Sequence, residues 1–495
     1  MKIQPALLSF LVLSTLSQAA VKLPALFSDH MVLQADKAAA VWGWADAGEE
    51  VQVSIAGQTK TATADAKGAW SVKLDPLPAS SQAQTLVIGG QTIQDVLVGE
   101  VWLGSGQSNM AMSVKGANDL EGTKAQAALP SIRVFTEGSG SAATAQTGGK
   151  GAWVACSPET VERFSATAFF FGRSLHAELK TPVGLIVSAV GGTPIEAWIS
   201  PEVQKADPKL APFLAMMKKV RESFNEAKVA AQYEKQLAKW AEDVKAARAA
   251  KKPAPAKPRD PVATFKRKGD IGGLFNGKIS PLVPYTIRGA IWYQGEANSQ
   301  DEKAPFYQEQ LAALARDWRA RWADDFPFAW VQLPNFTRPG NGWPQVRDGM
   351  RRALQDVPKS GMAITLDIGD AKNIHPTNKQ EVGRRLALWA LGDVYAESVP
   401  ATSGPLLSGT TVRDGKIVVS FKHAAGLKSE GPLTDFEIAG ADGQWQAAEA
   451  VIDGETVVVS SAKVTEPKHV RYAWKDNPSA CLRNGAGIPA STFSE

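Results

Sequence analysis

Val96-Leu97-Val98-Gly99-Glu100-Val101-Trp102-Leu103 runs directly into Gly104-Ser105-Gly106-Gln107-Ser108-Asn109-Met110. The first eight residues form a short apolar run, β-branched and aromatic and ended by glycine, which is the pattern of a buried strand. Ser108 therefore falls on a tight turn just past a strand end, where open α/β sheets place their chemistry. Downstream, strand and helix patterns alternate. Thr167 to Leu179 predicts a helix, with Phe170, Leu175 and Leu179 at helical spacing, and Gly184 to Val190 a strand. Pro305 to Arg321, Gln345 to Asp356 and Glu381 to Leu391 predict helices, separated by strands at Phe326 to Leu333 and Gly361 to Asp367. From about 96 to 395 this alternation predicts an α/β sheet with helices on both faces.

The flanks read differently. Residues 21–95 carry short alternating runs such as Ala40-Val41-Trp42-Gly43-Trp44 and Glu50-Val51-Gln52-Val53-Ser54-Ile55, which predict a small β-sandwich. Residues 396–495 return to the same signal in Lys416-Ile417-Val418-Val419-Ser420-Phe421 and predict a second β-domain. The 495 residues are too many for one core, so two or three domains are expected. Inside the α/β region, roughly 203–262 interrupts the pattern. It is rich in Ala, Lys and Glu and ends in Lys251-Lys252-Pro253-Ala254-Pro255-Ala256-Lys257-Pro258, which predicts one long helix or a helical hairpin followed by an extended segment. Its charges read most simply as a solvated face, so it is expected to be dispensable for turnover of a small ester; a lid over the site is the alternative.

Composition narrows the function classes. A hydrophobic content of 44%, a charged content of 21% and a net charge of +4 describe an ordinary globular chain with no basic stripe for nucleic acid. Lys2, the apolar run Ala6 to Leu16 and Ser17-Gln18-Ala19 match a secretory leader cleaved after Ala19, which predicts export to a periplasm or the extracellular space. The apolar run is too short for a membrane span, and no cysteine follows the cleavage site to carry a lipid. Cys156 and Cys481 are expected as buried free thiols. The chain has five histidines and no His/Cys cluster at metal-ligand spacing, so neither metal nor cofactor is expected.

A serine hydroxyl is a weak nucleophile and needs a base. Two further segments offer the rest of a hydrolytic site: Ile291-Trp292-Tyr293-Gln294-Gly295-Glu296 at one strand end, and Asp367-Ile368-Gly369-Asp370 leading to His375-Pro376 on a late loop. Together they point to a serine esterase. Met110 stands where the Gly-x-Ser-x-Gly elbow of α/β-hydrolases has its second glycine, which disfavours that fold.

These motifs resemble the sialate O-acetylesterase type of carbohydrate esterase in the SGNH (GDSL-like) hydrolase superfamily. The matching stretches are Leu23 to Gln34, Gly106-Gln107-Ser108-Asn109-Met110, Pro182 to Ser188 with Gly191 to Trp198, Trp292 to Asn298, and Asp367 to Asp370 with Ile374-His375-Pro376. They cover most of the chain outside 203–262. The resemblance implies a three-layer α/β/α domain with a parallel sheet and an acetylated carbohydrate, sialic acid foremost, as substrate. It assigns Ser108 as nucleophile and His375 as base. The acid that commonly lies three residues before the histidine is Lys372 here, so Asp370 is expected to orient His375, with Asp367 or a Ser-His dyad as alternatives. The superfamily's Gly-x-Asn-Asp block is also absent. The oxyanion donors are therefore expected to be the Ser108 and Gly191-Gly192 backbone, with the Gln294 amide as a substitute. Glu296, Trp198 and Asn109 complete the expected substrate site, with Asn109 more a loop-holding residue than a catalyst; Trp292 and Trp343 are further stacking candidates among fifteen tryptophans. Three rivals remain: an acetylxylan or other glycan esterase, a glycosidase using Glu296 with Asp370, and an inert sugar-binding protein. No protein partner is implied.

Overall fold

The computed structural model describes residues 21–269 and 271–495, with 266–269 as backbone, so the leader expected at 1–20 lies outside the described residues. We number the strands of the central sheet β1 (Gln91–Gly106), β2 (Ile132–Thr136), β3 (Trp153–Ala155), β4 (Val183–Ala189), β5 (Gly289–Tyr293), β6 (Phe328–Val331) and β7 (Ser360–Ala363). Across the sheet they run β7-β6-β5-β1-β4-β2-β3. Every pairing is parallel except that of the edge strand β3. Four helices cover it: α1 (Ala166–Leu179), α2 (Tyr307–Trp322), α3 (Gly342–Asp356) and α4 (Lys379–Trp389). The α/β expectation and the strand–helix order are the observed ones.

Alternation along β1 explains the layers. Successive strand side chains point to opposite faces, and both faces here are apolar. Trp102 packs edge-on to Phe171 of α1 and Trp389 of α4, whereas Val101 and Leu103 join the cluster containing Leu311, Trp318 and Val346 of α2 and α3. Burial of such side chains, worth about 1.5–3 kcal/mol each, holds the three layers together.

The boundary expected at 95/96 falls within a single strand. β1 pairs antiparallel with Ser80–Ile88 in its first half and lies between β4 and β5 in its second. The N-terminal β-unit is thus continuous with the central sheet. At the other end, four strands (Leu406–Arg413, Lys416–Lys422, Thr456–Ser460, Glu449–Asp453) form an antiparallel sheet that buries Ile417, Val419, Val457 and Val459, and Phe436–Ala439 and His469–Tyr472 centre a second. This β-unit is clamped to the α/β layers by Arg347 of α3, which donates to the carbonyls of Leu333, Pro334, Lys475 and Asp476. Cys156 and Cys481 are free and buried, and burial pushes the Cys156 thiol up to about 12. No helix among the described residues is long and apolar enough to cross a membrane.

Candidate active site

Gly106 ends β1 at φ +137°, and a Cβ there would lie 2.1 Å from the carbonyl oxygen of Tyr293. Only glycine lets the chain leave the sheet this close to β5. The Gln107 N–H then donates to that same carbonyl at 2.9 Å, and Ser108 opens a single helical turn, Ser108–Ala111. Its N–H, first in the turn, has no intrahelical acceptor.

His375 comes from the loop after β7, and its N–H is fixed by the Asn373 side chain at 2.9 Å. Its Nε2 lies 2.8 Å from Ser108 Oγ. Both residues line a pocket of about 990 Å³, together with Gln107, Gly191, Gly192 and Glu296. Burial lowers the pKa of His375 below its ordinary value, and the positive charges of Lys379 and Arg259 lower it further. The neutral imidazole that can take a proton from Ser108 is therefore the favoured form.

A serine and a neutral imidazole in contact at a strand end have the chemistry that acyl transfer needs. Residues 98–251 and 276–392 match the carbohydrate esterase family of sialic acid-specific acetylesterases. The sialate O-acetylesterase of Rattus norvegicus is 30% identical over 94% of this chain and 92% of its own length. The chain belongs to the sialic acid-specific acetylesterase family. The human sialate O-acetylesterase is also 30% identical, over 77% of this chain and 72% of its own. A carbohydrate acetylesterase from Xanthomonas citri superposes with a TM-score of 0.80 at 32% identity, covering 96% of this chain and 99% of that one. The protein is an esterase acting on acetylated carbohydrate.

Within this acetylesterase, the expected acid does not meet the histidine. Asp370 is exposed, and its Oδ1 accepts the N–H groups of Lys372 and Asn373 in its own turn. Asp367 is claimed by two guanidinium groups, Arg385 and Arg483, which hold its carboxyl below the usual range against the effect of burial. No described residue hydrogen-bonds to His375 Nδ1. The contact seen is a Ser-His dyad, the alternative to a triad through Asp370.

Gln294 is placed differently from its expected role as well. It is fully buried, its Nε2 donates to Thr193 O and Asn298 Oδ1, and its Oε1 accepts from the Tyr307 hydroxyl. One amide hydrogen goes to the turn that carries Gly191 and Gly192 and the other to Asn298, so Gln294 supports that turn from behind. The turn itself touches the nucleophile: a Cβ on Gly191 would sit 3.4 Å from Ser108 Cβ. Neither glycine N–H has a partner among the described residues. Trp198 is buried against Trp292, with its indole N–H on Thr193. Trp292 and Trp343 are buried too. None of the three can stack on a sugar; they belong to the core.

Asn109 and Glu296 form a buried polar bridge beside the dyad. Asn109 Nδ2 donates to Glu296 Oε1 at 2.5 Å and to the carbonyl of Ile374, the residue before His375, at 3.0 Å. Its Oδ1 accepts from Lys379 Nζ at 2.7 Å. Burial raises the pKa of Glu296 and brings Lys379 down to about 7. Asn109 thus pins the histidine loop to the turn that carries Ser108. Lys379 carried no sequence signal beyond its place four residues after His375.

Two pocket features escaped the sequence reading. Gln107, in the pocket wall, accepts the Ala297 N–H on Oε1, and its amide nitrogen has no partner among the described residues. The end of the insertion reaches the site: Arg259, Asp260, Ala263 and Thr264 line the pocket. The helical part is as expected in kind, with no residue of Glu226–Ala249 buried. The insertion is not a solvated face alone, because the chain after the prolines turns back to the pocket into a further helix, Pro261–Gly269.

Proposed function

We propose that this esterase removes O-acetyl groups from sialic acid through an acetyl-enzyme on Ser108. The observation that supports it most is the 2.8 Å contact between Ser108 Oγ and His375 Nε2 inside the pocket. In this reading His375 takes the serine proton as Oγ attacks the acetyl carbonyl carbon. The oxyanion that forms faces the N–H groups of Ser108, Gly191 and Gly192, with the Gln107 amide as a fourth donor. Collapse breaks the bond to the sugar oxygen, which leaves with the proton from His375. Water then adds to the acetyl group, gives its proton to His375, and acetate departs as Oγ regains a proton.

The family and the named activity of the rat and human relatives support sialic acid as the sugar. A glycosidase built on Glu296 and Asp370 leaves the Ser108–His375 contact without a role. Incubating purified protein with O-acetylated sialic acids and with acetylated xylo-oligosaccharides tests the reading. Acetate release from the former, abolished in Ser108→Ala, is expected. Release from xylan fragments alone moves the substrate to neutral glycans, and cleavage of a glycosidic bond sinks the esterase mechanism. Export is inferred from the leader pattern at residues 1–20, and a mature N-terminus at Ala20 is the expected result of N-terminal sequencing.

A further inference from the structure

The family match stops at 251 and resumes at 276, and the intervening chain is a built arm. The prolines do not hang free. Tyr233 Oη donates to Pro258 O at 3.0 Å, Trp240 Nε1 donates to Pro255 O at 2.8 Å, and Lys257 Nζ lies 5.9 Å from the centre of the Trp240 ring. The helix Glu226–Ala249, which buries none of its own residues in the body of the protein, thus serves as a splint for a stiff polyproline return. The return ends at Arg259. Asp260 follows as the cap of Pro261–Gly269, its Oδ1 accepting from the N–H groups of Val262 and Ala263.

The arm brings a charge to the site that no described residue neutralises. Arg259 makes no ion pair or hydrogen bond with any described residue. Arg338, across the same pocket, has its backbone N–H on the Asp476 carboxylate, while its guanidinium makes one long contact, 3.4 Å to the Glu296 carbonyl. The carboxylates at hand are otherwise engaged: Asp260 caps its helix, and Glu296 is bonded to Asn109 with its pKa raised by burial. Two planar forks of donors lining one cavity, neither paired with a described carboxylate, are suited to a carboxylate supplied by the ligand.

We propose that Arg259 and Arg338 bind the carboxylate of an acidic sugar, and that the arm-borne Arg259 makes the enzyme prefer acetyl esters of anionic sugars to neutral ones. This rests on the reading of the pocket as a serine acetylesterase site. It goes beyond that reading by assigning specificity to a segment outside the family match.

The test compares acetate release from O-acetylated N-acetylneuraminic acid with release from its C1 carboxamide, which keeps the sugar and removes the charge. Wild type is expected to favour the acid by roughly 10- to 100-fold in kcat/KM, the range of a charge-assisted hydrogen-bonded pair. Arg259→Gln and Arg338→Gln should each cut that ratio about tenfold, chiefly through a higher KM for the acid. Arg259→Glu should bring the ratio below one. Thermal melts establish that the variants are folded, and Arg259 is exposed, so substitution there is tolerated. Equal turnover of acid and amide by wild type, or a Gln variant that slows both alike, overturns the carboxylate assignment and leaves the esterase reading standing. Failure of wild type to release acetate from either sugar overturns both.

Discussion

His375 Nε2 stands 2.8 Å from Ser108 Oγ across 267 residues of sequence. No acid among the described residues stands behind it, and burial, together with the positive charges of Lys379 and Arg259, lowers its pKa. A serine hydrolase usually pairs its imidazole with a carboxylate that stabilises the imidazolium. Here the histidine is held by its loop: by Asn373 on its own N–H and by Asn109 on the preceding carbonyl.

Loss of either dyad member should therefore be far worse than loss of Asp370. Ser108→Ala and His375→Ala are expected to reduce kcat by about 10⁴-fold or more. Asp370→Asn, which keeps an oxygen for the turn amides, should change kcat less than tenfold. Steady-state kinetics on a chromogenic acetyl ester measure all three; a 10³-fold loss in Asp370→Asn would restore the triad.

The two glutamines should separate by readout. Gln107→Ala is expected to lower kcat by about 10²–10³ with little change in KM or melting temperature, because an oxyanion donor acts only as charge develops. Gln294→Ala takes the donor from the buried carbonyl of Thr193, at about 1–3 kcal/mol if it stays unpaired, whereas Asn298 Oδ1 keeps the Ile195 N–H and the Tyr307 hydroxyl keeps the main-chain carbonyl of residue 294. Its first effect should appear in thermal and urea unfolding. A Gln294→Ala protein of native stability would show that the turn does not depend on it.

The activity profile should have its acid limb below pH 6.5, because the His375 pKa is lowered from that value. Protonation below that point removes the base. A nearby cation disfavours imidazolium, so Arg259→Gln removes one cause of the lowering and should move the limb upward, toward pH 6.5. The pH dependence of kcat/KM in the two proteins is the measurement, and a downward shift contradicts the electrostatic account.

Asp367→Asn should damage stability and spare chemistry. Its carboxylate is shared by Arg385 of α4 and Arg483 of the C-terminal β-unit, and its side chain is 8% exposed. Removing one member of a buried ion network costs about 3–5 kcal/mol. The lowered pKa makes this stabilisation complete above the ordinary value of 3.8, and it is lost as pH falls through the lower folded value. Urea midpoints at pH 7 and at acid pH check both statements; wild type and variant should converge in acid.

Much of the site was legible because its signals are local. Gly106 before Ser108, the apolar run before it and the loop histidine are short-range features with short-range physical causes. The strand–helix order was readable because apolar periodicity is set within one or two turns of chain. The failures share a different cause. Asp370 and Gln294 have the right chemistry at the right distance along the chain, but their hydrogen bonds were claimed by the Lys372 and Asn373 amides and by Thr193, Asn298 and Tyr307. Trp198 has the character of a sugar platform and lies instead in a core of tryptophans.

By itself, then, the sequence determined the layered α/β architecture, the β-rich flanks and the Ser108 and His375 positions, because hydrophobic period, glycine turns and motif order are written residue by residue. Only the tertiary structure decided which polar atoms face the pocket. It turned Gln107 toward the pocket and Gln294 into the core, gave His375 no acid among the described residues, and carried Arg259 back to the site on a proline-stiffened arm. The physical reason is that a hydrogen bond is directional and its partner saturable: the destination of each donor depends on which distant segment is packed beside it, and one-dimensional spacing does not contain that information.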